Sequence, residues 1–278
     1  MTLGASLHHF TRIAEGADPE EWILLLHGIL GSGGNWASFA RDLTRMRPEY
    51  GVLVPDHRLH GRSNDGNPPD DIESCVNDLR LFLEEFQEPC RAVIGHSFGS
   101  KIGVELAIRQ SSIRQAFILD ADPGQLSVEG KSRSDFQVLQ LMDALRSAPV
   151  SFPGRDSFVE YMGTYGFRPE IAGWVGKNLK RCSAGLQLNL NLDRIETLLL
   201  NHHEYDLWPR LSHENVDTVD FIVGDRSKVV TAGVREKMHS LSMEHPSRHS
   251  LTVVPNAGHW LHVDQPSLLL EGILNRLF

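Results

Sequence analysis

The sequence contains little cysteine. It has three cysteines among 278 residues, Cys75, Cys90 and Cys182. They are too few and too scattered for a disulfide framework or a CxxC metal site, and an odd number of thiols favours a reducing compartment. A chain of this length buries about three quarters of its unfolded surface, so it can form a core without disulfides or a structural metal. We therefore expect an ordinary globular protein.

Long apolar runs are also absent, and negative charge exceeds positive charge. No run approaches the roughly 18 residues of a membrane helix, and the first residues lack the basic and apolar regions of a signal peptide. The formal net charge of −9 disfavours binding to nucleic acids and to anionic membranes. These features predict a cytoplasmic protein with no membrane span and no nucleic-acid partner. Both a monomer and a homodimer stay open.

Motifs for nucleotides and metals are missing as well. The sequence has no GxGxxG fingerprint, and the glycine-rich run at 27–34 lacks the Gly-Lys-Ser/Thr that ends a phosphate-binding loop. His202, His203 and Glu204 look like a ligand cluster, but adjacent residues on a helix point in different directions. We therefore expect neither a cofactor nor a metal.

Apolar strands alternate with amphipathic helices along most of the chain. The predicted strands lie at 22–26, 51–55, 91–94, 115–119, 218–223 and 250–254. The predicted helices lie at 35–46, 71–86, 99–109, 229–241 and 265–278. This alternation predicts an α/β protein with a mostly parallel sheet and helices on both of its faces.

The alternation stops between residues 123 and 215. This segment has a mostly helical pattern, broken by Pro149, Pro153 and Pro169. It follows the carboxyl end of a strand, which is the edge of a parallel sheet where ligands bind. We therefore predict a core domain of residues 1–122 and 216–278, and a helical cap of residues 123–215 that lies over the site.

One motif predicts a nucleophile. The pentapeptide 95–99, GHSFG, follows an apolar strand and precedes a helix, which is the context of the G-x-S-x-G nucleophile elbow. The sharp turn lifts the hydroxyl of Ser97 above the sheet, and the flanking glycines avoid clashes with the neighbouring strand and helix. Chance occurrence of the motif is the alternative, and its strand-turn-helix context argues against that.

A nucleophilic serine needs a base, and the sequence offers 14 histidines. His259 follows the last predicted strand, which gives the chain order of serine first and histidine last that the elbow requires. His262 lies further into the closing segment, and His96 should point away from Ser97. A surface or helix-capping histidine is the alternative for His259.

The anionic intermediate of acyl transfer needs hydrogen-bond donors. One should be the backbone N–H of Phe98, at the start of the helix after the elbow. The second should come from the loop after the first predicted strand, and we predict the N–H of Ile29. A glycine-rich turn without chemistry is the alternative for this loop.

Four segments together resemble the α/β-hydrolase superfamily. They are 27–36 (HGILGSGGNW), 56–63 (DHRLHGRS), 95–99 (GHSFG) and 256–259 (NAGH). The first two look most like small, capped bacterial carboxylesterases and their mitochondrial relatives. The resemblance covers essentially the whole chain, with 123–215 in the place of the variable cap, inserted after the sixth family strand.

The resemblance implies a cofactor-free, carboxylesterase-type serine hydrolase that cleaves a small-molecule ester substrate, a carboxylic ester, through a Ser-His-Asp triad. A pocket of modest size suggests short to medium acyl chains. Because this superfamily hosts several chemistries, thioesterase, perhydrolase and C–C hydrolase activity stay open, as does a non-catalytic ligand-binding receptor on the same fold.

The acid of the triad is less certain from the sequence. The usual family position, three residues past Gly224, is occupied by Ser227. Asp120 at the end of the preceding strand is our first choice, because some family members take the acid from there. Asp225 is the main alternative and Asp122 a further one. Ser227 could then support the network through a hydrogen bond.

Aromatic residues of the cap, together with the neighbour of His259, are candidates to line an acyl pocket. They are Phe152, Phe158, Tyr161, Tyr165, Trp174 and Trp260. Packing within the cap is the alternative for each cap residue, and we favour it for most of them.

Overall fold

The structure is a computed structural model that describes residues 4–126, 132–133 and 136–278. Residues 1–3 of the predicted core and residues 127–131 and 134–135 of the predicted cap lie outside the described residues. The described strands are β1 (His9–Arg12), β2 (Glu21–Leu26), β3 (Tyr50–Pro55), β4 (Cys90–His96), β5 (Gln115–Leu119), β6 (Leu179–Cys182), β7 (Gly185–Leu188), β8 (Thr218–Gly224) and β9 (His249–Val254).

The described helices lie between these strands along the chain, and the last two follow β9. They are α1 (Ala37–Met46), α2 (Ile72–Leu83), α3 (Phe98–Arg109), α4 (Gln137–Arg146), α5 (Arg155–Thr164), α6 (Pro169–Val175), α7 (Leu192–Glu204), α8 (Ala232–Glu244), α9 (Leu261–Asp264) and α10 (Pro266–Leu274). Short 3-10 turns add single turns of helix at Gly33–Trp36, Gly176–Asn178 and Trp208–Arg210.

The described residues form one central sheet with the strand order β1-β3-β2-β4-β5-β8-β9. All neighbours pair in parallel except β1, which runs antiparallel to β3. The six strands predicted from the sequence are the parallel ones, and the predicted mostly parallel sheet is confirmed. Strand β1 was not predicted, because it is short and only partly buried.

The central strands are apolar on both faces because helices cover both sides of the sheet. Ile23 and Leu25 of β2 face a core layer that includes residues of α1 and α10. Leu24 and Leu26 face the opposite layer, which includes residues of α2, α3 and the segment between β5 and β8. This arrangement confirms helices on both faces.

The chain between β5 and β8 contains α4–α7 and a hairpin of β6 and β7. The sequence predicted a mostly helical pattern here and missed the hairpin. Phe152 adds an isolated bridge to Leu186 beside it. Phe167, Ile171 and Leu199 of this segment line the same cavity as residues at the carboxyl ends of the central strands.

Parallel strands place the candidate site at one edge of the sheet. Ser97 follows β4, Asp120 follows β5, and Gly224 is the last residue of β8. His259 lies in the loop after β9. Because the carboxyl ends of parallel strands meet at the same edge, residues far apart in sequence come together there.

Candidate active site

Ser97 lies in the sharp turn between β4 and α3. Its backbone has φ 51° and ψ −116°, a conformation that L-residues rarely adopt. A Cβ at Gly95 would lie 2.4 Å from the carbonyl oxygen of Gly99. A Cβ at Gly99 would lie 2.8 Å from the carbonyl oxygen of His27. Both glycines are therefore needed for the close approach of strand and helix, and the turn is the one that the GHSFG motif predicted.

Asp120 and His259 form a hydrogen bond. His259 Nδ1 donates to Asp120 Oδ2 at 2.8 Å, and Asp120 is completely buried. The hydroxyl of Ser227 donates to the same oxygen at 2.6 Å. The backbone N–H of Gly224 donates to Oδ1 at 2.9 Å. The carboxylate is thus held by three donors, and the structure brings together the predicted residues Ser227, Asp120 and His259.

The two alternative acids have other partners. Asp225 Oδ1 accepts from the backbone N–H of Ala257 at 3.2 Å, in the loop that carries His259. Asp122 Oδ1 accepts from the backbone N–H of Gly124 at 2.8 Å. Among the described hydrogen bonds, neither carboxylate contacts His259. The geometry therefore favours Asp120 over both alternatives.

His96, which precedes Ser97, is turned towards the histidine loop. Its Nε2 lies 2.8 Å from the carbonyl oxygen of His259, to which it donates. Burial and the neighbouring imidazole of His259 hold the pKa of His96 well below its ordinary value. The contact joins the nucleophile turn to the loop of the candidate base.

The loop after β2 runs beside the serine. A Cβ at Gly28 would lie 3.3 Å from Cβ of Ser97. Ile29 and Phe98 line the same cavity as Ser97. Phe98 is the first residue of α3, and the N–H groups of a first helical turn have no partner within the helix. Both residues predicted to supply oxyanion donors therefore line the cavity onto which Ser97 opens.

Buried histidines that the sequence analysis did not assign hold this loop. His60 Nε2 accepts from the backbone N–H of Leu30 at 2.9 Å, while Nδ1 donates to the carbonyl of Arg58 at 2.8 Å. His27 Nε2 accepts from the backbone N–H of His57 at 3.0 Å. Burial, with a smaller contribution from His27, lowers the pKa of His60 to about 3. Neutral His60 can therefore keep its acceptor at Leu30.

The histidines that stabilise this loop lie in the segments 27–36 and 56–63, which the sequence analysis had singled out for their family resemblance. Both carry histidine next to glycine, but a sequence does not show which backbone group a buried imidazole meets. Asn178, which precedes β6, also stabilises the loop after β2, because its side-chain amide donates to the carbonyl of Leu30 at 2.8 Å.

Ser97 and His259 open onto a cavity of about 890 Å³. Trp174 and Trp260, both predicted pocket residues, line this cavity, and their ring centroids lie 6.0 Å apart. The cavity is more apolar than polar at its walls, with Leu141, Phe167, Ile171 and Leu199 among the lining residues. It can accommodate a small organic substrate.

The other predicted pocket residues do not belong to the described lining of this cavity. Phe152 and Phe158 are buried and pack edge to face with centroids 5.1 Å apart. Tyr161 donates its hydroxyl to the carbonyl of Ala144 at 2.7 Å, and its ring lies 5.3 Å from that of Tyr165. Phe152, Phe158 and Tyr161 thus contact other side chains or backbone of the segment between β5 and β8, whereas Tyr165 is 48% exposed.

The described residues contain no group of three or more side chains suited to hold a metal ion. His202 and His203 do not form such a group with Glu204. They instead line the cavity, together with Lys101 of α3. None of these three was assigned to the pocket from the sequence.

A family model for the α/β hydrolase fold matches residues 21–266. The chain belongs to the α/β-hydrolase fold family. Among curated members, the mouse (Mus musculus) sn-1-specific diacylglycerol lipase ABHD11 is 24% identical over 257 residues, which span 92% of this chain and 80% of the mouse protein. A putative 2-succinyl-6-hydroxy-2,4-cyclohexadiene-1-carboxylate synthase of Bacillus subtilis (strain 168) is 23% identical over 261 residues, 91% of this chain and 89% of that protein.

A solved structure called a marine microorganism esterase has the same α/β-hydrolase fold. It superposes with a TM-score of 0.82 at 24% identity, and the match covers 99% of this chain and 100% of the other. This likeness concerns the fold. Among the described residues, none of the helices of this α/β-hydrolase has the length and apolar character needed to cross a membrane.

Proposed function

We propose that this protein is a serine hydrolase that cleaves carboxylic esters with short to medium acyl chains, using Ser97, His259 and Asp120. The observation that carries the proposal is the hydrogen bond from His259 to the buried Asp120, beside a serine in a strained turn at the same cavity. A carboxylate at Nδ1 fixes the imidazole tautomer that leaves Nε2 to take a proton. Relatives named as a lipase and an esterase support ester chemistry.

In the first half of the reaction, the proton of Ser97 Oγ moves to His259 Nε2 while Oγ bonds to the ester carbonyl carbon. The carbonyl electron pair moves onto its oxygen, and the N–H groups of Ile29 and Phe98 bind this oxyanion. When the carbonyl re-forms, the bond to the alcohol oxygen breaks. The alcohol leaves with the proton from His259, and the acyl group stays on Ser97.

The second half releases the acid. A water molecule gives a proton to His259 Nε2 as its oxygen bonds to the acyl carbon. The oxyanion again forms and collapses, and the bond to Ser97 Oγ breaks as Oγ takes the proton back. Asp120 stays ionised throughout and stabilises the imidazolium that forms in each half. The steps need no cofactor.

In this proposal, residues 123–215 act as a cap over a core of residues 1–122 and 216–278. The contribution of Phe167, Ile171, Trp174 and Leu199 to the cavity wall supports this division. Apolar walls over the serine exclude bulk water and strengthen the interactions that stabilise the oxyanion.

The test is labelling of Ser97 together with ester hydrolysis. Wild type and Ser97→Ala are treated with a fluorophosphonate, and the intact mass of each protein is measured by mass spectrometry. For both proteins, kcat/KM is measured for p-nitrophenyl esters of increasing acyl length. We expect a single adduct that Ser97→Ala abolishes, and a loss of turnover of at least about 10³-fold in that variant. Full esterase activity in Ser97→Ala would refute the proposal.

The same experiment separates the competing functions. Thioesters, peroxide and a dienoic diketone, each supplied to the same enzyme, test thioesterase, perhydrolase and C–C hydrolase activity. A folded protein without adduct or turnover, but with saturable ligand binding, would favour the receptor hypothesis.

A further inference from the structure

One wall of the cavity is polar and is not used by the proposed triad. Lys101, His202 and His203 line the cavity along with Asp122, on the side formed by α3 and α7. The ring of His202 lies 5.2 Å from the ring of Phe98, centroid to centroid. This wall is therefore adjacent to the turn that carries the candidate nucleophile.

The two histidines of this wall have unused hydrogen-bonding atoms. His202 is 8% exposed, and neither of its ring nitrogens has a hydrogen-bond partner among the described residues. His203 is 7% exposed, and its Nδ1 has no such partner either. Buried polar side chains in proteins are nearly always paired, so unpaired ones in a cavity wall indicate atoms that a ligand would pair.

Lys101 shapes this wall without being able to donate to a ligand. Its ammonium group donates to the carbonyls of Gly124 at 2.8 Å, His202 at 2.8 Å and Tyr205 at 2.7 Å. An ammonium group has three protons, so all are used. Burial lowers the pKa of Lys101 to about 8, and the group is still mainly cationic near neutral pH. The carboxylate of Asp122 lies in the same wall and offsets this charge.

The imidazoles themselves are neutral. Burial, mainly, holds the pKa of His202 well below its ordinary value and lowers the pKa of His203 to about 4. The charge of Lys101 is the second cause in both cases. A neutral imidazole offers one N–H donor and one nitrogen acceptor. A ketone can accept from the N–H of such a ring, and a hydroxyl or amide can pair with both of its nitrogens. A carboxylate would find no free cationic donor among Lys101, His202 and His203.

We infer that His202 and His203 form a binding subsite for a neutral hydrogen-bonding group, namely a ketone, hydroxyl or amide, on one arm of the substrate. This inference rests on the proposed function, since it names the substrate class of the same cavity. The substrates are then esters functionalised on the arm that lies against α7, and plain alkyl esters lack this contact. The triad performs the bond cleavage, and the subsite determines which esters are preferred.

Pairs of esters with equal chain length test the subsite. The acyl arm is compared in p-nitrophenyl 4-oxopentanoate and pentanoate, and the alcohol arm in 3-hydroxypropyl and butyl butyrate. Each ratio of kcat/KM is divided by the ratio of the alkaline hydrolysis rates, which removes intrinsic reactivity. In wild type we expect a preference of about five- to tenfold for the oxygen-bearing member of one pair, the gain of about one hydrogen bond.

Substitutions assign the preference to the two histidines. His202→Leu should bring the ratio close to one, and His203→Leu should lower the ratio. His202→Gln should restore part of the preference, because glutamine keeps a donor and an acceptor. The matched control is His239→Leu, on an exposed part of α8, which should keep the wild-type ratio. A ratio near one for both pairs in wild type overturns the subsite, as does an unchanged ratio in both His202→Leu and His203→Leu. A stronger preference for p-nitrophenyl hemisuccinate overturns its neutral character.

Failure of the subsite can be told apart from failure of the proposed function. Hydrolysis of the plain esters and labelling of Ser97 report on the triad alone. If Ser97 is labelled but no ester is cleaved, labelling rates replace kcat/KM as the measurement. The rate for a fluorophosphonate with a 4-oxopentyl arm is then divided by the rate for one with a pentyl arm. Equal labelling rates in wild type would then overturn the subsite independently of ester turnover.

Discussion

The hydroxyl of Ser227 donates to Asp120 Oδ2 at 2.6 Å, onto the same oxygen that accepts the Nδ1 proton of His259. Asp120 follows β5 and Ser227 follows β8, so two neighbouring strands contribute to one carboxylate. The N–H of Gly224, at the end of β8, orients the other oxygen. In the family pattern, the position of Ser227 is the usual place of the acid. Here that position holds a hydrogen-bond donor to Asp120, which follows the neighbouring strand.

Replacing Asp120 should therefore affect catalysis far more than replacing Asp225. Asp120→Asn presents an amide to His259 and favours the wrong imidazole tautomer, so we expect kcat for a p-nitrophenyl ester to fall by about 10³- to 10⁴-fold. Asp225→Asn keeps an oxygen that can accept from Ala257, and we expect a change in kcat below about tenfold. Steady-state kinetics of the two variants check this. A larger loss in Asp225→Asn would reverse the assignment.

Ser227→Ala tests the support that this hydroxyl gives to Asp120. Removal of a hydrogen bond to a charged carboxylate costs about 1.5 to 3 kcal/mol, part of which is recovered if water replaces the hydroxyl. We expect kcat to fall about tenfold with little change in KM, because Ser227 is not among the described residues that line the cavity. The rescue variant is Ser227→Thr, which keeps the hydroxyl. Equal losses in both variants would mean that packing, and not the hydrogen bond, is what matters.

The local features of this protein could be predicted from its sequence alone, whereas the contact between the distant loops of Asp120 and His259 was expected only with the help of the family resemblance. The strand at 22–26 and the elbow at 95–99 have signals within a few residues, namely continuous apolar character and paired glycines. The choice between Asp120 and Asp225 had no such signal, because both follow neighbouring parallel strands. Which carboxylate reaches His259 depends on the local backbone, and Asp120 has φ 46° where the strand ends.

The residues that line the cavity were predicted less well than the contacts of Asp120 with His259 and Ser227, for a physical reason. An aromatic side chain in a helical segment buries equally well against another helix or over a substrate. Phe158 and Tyr161 of α5 do the first, whereas Trp174 of α6 lines the cavity onto which Ser97 opens. Polar lining residues such as His202 were overlooked because the sequence analysis considered the adjacent histidines only as metal ligands. Once a metal site was rejected, no other role was assigned to them.

Acid should destabilise the fold through its buried neutral histidines. The pKa of His60 is lowered to about 3 from an ordinary 6.5, mainly by burial. Between these values the unfolded chain binds the proton and the folded chain does not, so the free energy of unfolding decreases as the pH falls through this window. Such a group contributes a slope of up to about 1.4 kcal/mol per pH unit. Denaturant unfolding at a series of pH values measures it.

His60→Gln isolates this contribution. The variant keeps an acceptor for the N–H of Leu30 but cannot titrate, so the slope of unfolding free energy against pH should be shallower by about one proton. His239→Gln, at an exposed position of α8, should keep the wild-type slope. An unchanged slope in His60→Gln would mean that His60 is not neutral and buried in the folded protein.

Gly99→Ala should destabilise the protein and impair the elbow at once. The new Cβ would lie 2.8 Å from the carbonyl oxygen of His27 and 2.9 Å from Cβ of Leu26, so β2 and α3 have to separate. We expect a loss of about 1 to 3 kcal/mol in the free energy of unfolding, measured by chemical denaturation, together with slower labelling of Ser97. The matched control is Gly233→Ala in α8, where a Cβ meets no atom within 4 Å and the better helix propensity of alanine should add up to about 1 kcal/mol. If both variants were stabilised equally, the close approach of β2 and α3 at the elbow would not be the reason for glycine at position 99.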